Sequence, residues 1–159
     1  IIASTPVHAV KFAGNLTNYV RARTMDMGQQ ILNPIDVAGW QENQDWISTG
    51  TLPMRWEFGD YLINRYYAAN KDQFRSLLKD MVGINDDNPE SIVRTVKEYM
   101  FCNYEILPDE LNDAMSIFKG DIPDNYFNGG GWNIDDSTVP KQFYDLLRFF
   151  VTLPEFQLK

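Results

Sequence analysis

At 159 residues, the chain is long enough for one domain to bury a sizeable core without disulfide or metal staples. Its 44% hydrophobic, 23% charged and 14% aromatic residues are globular proportions that exclude a disordered chain. A net charge of -8 and a pI near 4.5 argue against nucleic acid as a partner, because phosphate binding needs clustered Lys and Arg.

The acid is concentrated. Residues 80–136 carry 3 basic and 13 acidic groups, the pattern of a solvated helical face with acidic loops. No apolar run approaches the ~20 residues of a membrane-spanning helix, so no membrane span is expected. The chain begins at Ile1 rather than Met, and is expected to be a mature form or the carboxy-terminal fragment of a larger protein. Cys102, the single cysteine, ends an apolar stretch and is expected to be a buried, inert thiol.

Thr5-Pro6 reads as a cap followed by proline at the first helical position, and Val7, Val10, Gly14, Thr17 and Val20 recur at helical spacing. A first helix is predicted over 6–23, and a short second one over 24–32 that stops before Pro34. Pro and Gly then punctuate the segment 33–51, which holds Trp40 and Trp46; it is predicted to be an ordered, non-helical clasp with both indoles mostly buried. The next helix, 52–69, has the stripe Leu52, Trp56, Gly59, Ile63 and Tyr67, where Gly59 implies close approach of another helix.

Asn70 and Gln73 form a capping-box pattern ahead of Phe74, Leu77, Leu78, Met81 and Val82, and Gly83 is placed to end that helix. Asp86-Asp87-Asn88-Pro89-Glu90 opens another, with Ile92, Val93, Val96, Tyr99 and Met100 on its inner face. A helix over 108–118 buries Leu111, Ala114, Met115 and Phe118, with Leu107 a poor cap. The segment 120–136, with Gly129-Gly130-Gly131-Trp132, has no helical period and is predicted to be a long irregular loop. Ser137-Thr138-Val139-Pro140 opens the last helix, striped by Phe143, Leu146, Leu147, Phe150 and Val151 and stopped by Pro154. No strand alternation or repeat is present, so the expected fold is all-α: a single domain over 1–159 of six or seven helices, with an ordered Trp-containing loop and a long Gly-rich loop.

Catalytic signatures are scarce. His8, the single histidine, sits in a first helical turn with no nucleophile signature near it and is expected to play a surface or cap role. No Walker, H-E-x-x-H, G-x-S-x-G or dinucleotide pattern occurs, and no cofactor is expected. The candidate binding residues are Trp40, Trp46 and Trp132, as a stacking platform for sugar rings, and Arg55, which is expected to tie the clasp down through its carbonyls. Asp121, Asp124, Asp135 and Asp136 supply oxygen ligands of the kind calcium takes, without the EF-hand spacing. If the segment 120–136 is an adaptable surface for a partner or glycan, Trp132 should stand at least partly exposed.

Gly28-Gln29, Pro34, Val37, Gly39-Trp40, Trp46-Ile47, Thr51-Leu52 and Arg55 resemble, in order and spacing, the carboxy-terminal half of the bacterial domain-of-unknown-function family 1800. The Pro6-Val7 helix is similar to the segment just upstream in that family, and Leu153-Pro154-Glu155-Phe156-Gln157 to its terminal motif. Ile35, Glu42-Asn43 and His8 depart from its usual pattern, and its histidine-rich amino-terminal motif is absent. The resemblance implies a larger, mostly helical, exported protein, periplasmic or secreted, often encoded beside a sulfatase-like family. Three functional readings follow: a helical scaffold or interaction domain; part of a polysaccharide-acting enzyme whose catalytic residues lie in a missing amino-terminal half; or a carbohydrate- or partner-binding module using the segment 120–136.

Overall fold

The computed structural model describes residues 14–30, 32–34, 37–39, 43–83, 86–102 and 105–158. Among them are eight α-helices and no strand, so the fold is all-α. The backbone divides after Met54 into two compact units, Ile1–Met54 and Arg55–Lys159, and each has its own internal packing.

In the first unit, α1 runs Gly14–Asp26 and buries Leu16, with Met27 buried just beyond its end. The helix predicted over 24–32 does not form. Gly28 takes a φ of 76°, and the chain closes α1 with the paired bonds of a Schellman motif: Gln29 N–H to Thr24 C=O at 2.7 Å and Gly28 N–H to Met25 C=O at 2.9 Å. A glycine is needed at that left-handed position, so Gly28-Gln29 is a stop signal where helical periodicity alone suggested continuation.

Of the clasp, Trp40 lies outside the described residues, as does His8. Trp46 is partly buried and ends a single 3-10 turn, Asn43–Trp46, whereas Val37 is fully exposed. A reciprocal cap then starts the next helix. Ser48 Oγ accepts from Thr51 N–H at 3.1 Å, Thr51 Oγ1 accepts from Ser48 N–H at 2.9 Å, and Thr51 Oγ1 donates to Trp46 C=O at 2.8 Å.

α2 spans Thr51–Ala69 and bridges the division between the units. None of its residues is fully buried, and Trp56, expected in its inner stripe, is exposed. Gly59 meets its expectation: a Cβ there would lie 3.3 Å from Val151 Cγ2.

The core of the second unit is formed by α3 (Lys71–Val82), α4 (Pro89–Phe101), α5 (Pro108–Lys119) and α7 (Val139–Thr152). The central element is α7, which packs on α3, α4 and α5 and carries eight buried residues. Phe74 and Leu78 of α3, Val93 and Val96 of α4, Phe118 of α5, and Phe143, Leu146 and Phe150 of α7 all join one cluster. Each such side chain removed from water contributes about 1.5–3 kcal/mol.

The caps follow the sequence. Asn70 Oδ1 accepts from Asp72 and Gln73 N–H, and Asn88 Oδ1 from Glu90 and Ser91 N–H. Leu107 provides no side-chain cap. Cys102, expected to be buried, is exposed: it is the left-handed cap of α4, one position past the last buried residue, Phe101. The segment 120–136 is not wholly irregular, since it holds the short α6, Asp124–Asn128. After Leu153 a last turn, α8 (Pro154–Gln157), folds back on α7 and α4.

Candidate functional site

An open depression is lined by Asp145, Arg148, Phe149 and Thr152 of α7 together with Asp60 of α2 and Ile117 of α5. Arg148 Nε donates to Asp60 Oδ1, and this hydrogen bond raises the guanidinium pKa above its ordinary value. Asp60 Oδ2 accepts from Asn64 Nδ2 at 2.6 Å, Asn64 Oδ1 accepts from Tyr144 Oη, and Asp145 is paired with Lys141. The Tyr144 ring is nearly buried, 4.4 Å from that of Tyr67, with Arg148 Cζ at 5.3 Å and Lys141 Nζ at 5.1 Å from its centroid. Four charges thus neutralise one another around a fixed aromatic ring.

None of these residues stood out in the sequence. The available signal was spacing: Asp60 with Asn64, Lys141 with Asp145 and Tyr144 with Arg148 are all i,i+4 pairs, which share a helix face. What spacing could not supply is that the α2 pair would meet the α7 pairs.

The expected site residues go elsewhere. Trp132 is 2% exposed, against the partial exposure an adaptable loop requires, because its ring packs on Phe118 and Phe127 and its indole N–H donates to Gln142 Oε1 at 3.1 Å. Gln142 also donates to Phe118 C=O at 3.0 Å and accepts from Thr138 Oγ1 at 3.1 Å, so a buried amide fastens the segment to both α5 and α7. The three glycines serve the same turn: Gly130 has a φ of 68°, and a Cβ at Gly131 would lie 2.9 Å from the Tyr126 ring.

The acids that resemble calcium ligands in the sequence are separately engaged. Asp124 pairs with Lys119 at 2.8 Å, Asp135 pairs with Lys79, and Asp136 accepts from Thr138 N–H and Oγ1, both at 3.0 Å. Asp121 is exposed, and among the described residues no three His, Cys, Asp or Glu side chains are grouped to hold a metal ion. Arg55 does not bond to clasp carbonyls among the described residues; it reaches Gln157 C=O at 3.5 Å. Burial lowers its pKa and leaves its Nε without a partner among the described residues.

Two further side chains carry no signal in the sequence. Lys97 of α4 is buried, paired with Glu110 of α5, and its Nζ lies 5.1 Å from the Phe101 ring centroid. Gln157 is buried too, its side chain donating to Val151 C=O. The terminal motif therefore serves the interior, since Phe156 meets Phe101 at 5.9 Å and the Gln157 backbone receives Arg55.

By architecture this is an all-α protein whose second unit is built on one central helix. The family described as "Protein of unknown function (DUF1800)" matches residues 3–158, and the chain belongs to it. Neither curated proteins nor solved structures give a match.

Proposed function

We propose that the chain is a helical scaffold or interaction domain, forming the carboxy-terminal part of an exported bacterial protein. One observation carries this reading: several motif residues in the described regions are spent on internal architecture, although Pro34 and Val37 stand exposed. Gly28 and Gln29 close α1, Thr51 caps α2, Arg55 meets the Gln157 backbone, and Phe156 docks on Phe101. Such residues position helices. Export and a periplasmic or secreted location rest on the family resemblance.

The enzyme reading places its catalytic residues in an amino-terminal half outside this chain, and the acids that line the open depression, Asp60 and Asp145, are each held in an ion pair. The reading that uses the segment 120–136 loses its main support with the burial of Trp132. The test is to assay this chain and the full-length protein against a panel of glycans and esters. No turnover by this chain is the expected result. Turnover by the chain itself would overturn the scaffold reading, and turnover by the full-length form only would assign the chemistry to the rest of the protein.

A further inference from the structure

The depression over α7 has a composition that selects a ligand class. Its charges are balanced: Asp60 is paired with Arg148, and Asp145 with Lys141. An anionic ligand that met the free amino groups of Arg148 would also lie beside the carboxylates of Asp60 and Asp145, so net charge gives it no advantage. A hydroxylated neutral ligand can join without displacing anything. All four carboxylate oxygens of Asp60 and Asp145 accept a hydrogen bond and retain a further lone pair. Among the described residues Arg148 uses only its Nε as a donor, which leaves its two terminal amino groups free to donate.

The apolar part of the depression is Ile117 and Phe149, both partly exposed. An aromatic ring beside balanced donors and acceptors matches a pyranose, which has C–H-lined faces and a rim of hydroxyls. The polar rim is also restrained before any ligand arrives, because Arg148 is paired with Asp60 and lies against Tyr144, itself anchored by Asn64 and Tyr67. Preorganisation of this kind removes part of the entropic cost of binding.

We propose that this depression binds a neutral hexopyranosyl ring, stacked on Phe149 and oriented by Arg148, Asp60 and Asp145. The site is distinct from the segment 120–136 and from every tryptophan considered from the sequence. It adds a ligand to the scaffold reading without depending on it, so failure here leaves that reading intact.

The test is an NMR titration of the full chain with methyl glucopyranoside, methyl glucuronopyranoside and methyl glucosaminide, following the Ile117 methyl and the backbone amides of 145–152. The neutral glycoside should shift these signals with millimolar affinity. Phe149→Ala should weaken binding about tenfold, the loss of one stacking contact of roughly 1.4 kcal/mol. Arg148→Gln, at an exposed position, should weaken it comparably and serves if Phe149→Ala fails to fold. The absence of shifts at these residues, undiminished binding by either folded variant, or tighter binding of either charged glycoside would overturn the proposal.

Discussion

Lys97 places an ammonium group where only 1% of the residue is exposed, and its partner Glu110 lies on the neighbouring helix α5. Removing one partner leaves an uncompensated buried charge, so Lys97→Ala should cost about 3–5 kcal/mol in urea unfolding. Replacing both, as Lys97→Met with Glu110→Leu, should recover most of that loss. A single variant as stable as the parent would mean the pair is open in solution.

Asp136 works at the surface in the opposite sense. Its bonds from Thr138, chiefly the backbone N–H, favour the ionised form and hold its carboxyl below the ordinary carboxylate range, and its charge is the main cause of the raised Tyr126 pKa. The unfolded chain therefore binds this proton more readily than the folded one. Stability from Asp136 is complete above about pH 3.9, the ordinary value, and is lost as pH falls through the depressed one. Asp136→Asn should lower the melting temperature at neutral pH and have progressively less effect in acid; an equal loss at both would contradict the linkage.

At the scale of elements, the contact between α2 and α7 depends on an absent side chain. A Cβ at Gly59 would sit 3.3 Å from Val151, closer than an ordinary packing contact. Gly59→Leu should force the helices apart and cost about 1–3 kcal/mol, read as a drop in thermal midpoint. Adding Val151→Ala should return part of it, since the two positions compete for one volume. Boundaries were legible wherever a side chain or a glycine acts locally: Asn70 and Asn88 cap α3 and α4, and Gly83 closes α3. The false helix over 24–32 shows the limit of periodicity. Apolar spacing continues past Met27, but the positive φ at Gly28 turns the backbone away.

Across the whole molecule, burial is graded, and hydrogen exchange should report it. Amides of α7, α4 and the inner turns of α3 and α5, which carry fully buried residues, should be the last to exchange. Those of α2 should exchange sooner, because no residue of that helix is fully buried. Its pair Asp60–Arg148 is roughly two-fifths exposed on each side, so added salt should speed α2 exchange further, and Arg148→Gln should do the same at low salt. Protection of α2 equal to that of α7 would refute this grading.

By itself the sequence determined the helical class, most helix limits, the inner stripes of α3, α5 and α7, that of α4 apart from Tyr99, which stands exposed, and the family, because capping, periodicity and motif spacing act over a few residues. Tertiary structure decided which polar side chains meet. Nothing local to Asp60 names Arg148, 88 residues away, nor does Trp132 announce that Gln142 will satisfy its indole inside the core. It also decided exposure at the margins of stripes, placing Trp56 and Cys102 outside and Lys97 inside. Burial at those positions depends on which neighbouring helix arrives and how closely, and that information is carried by packing among distant segments rather than by any one stretch of chain.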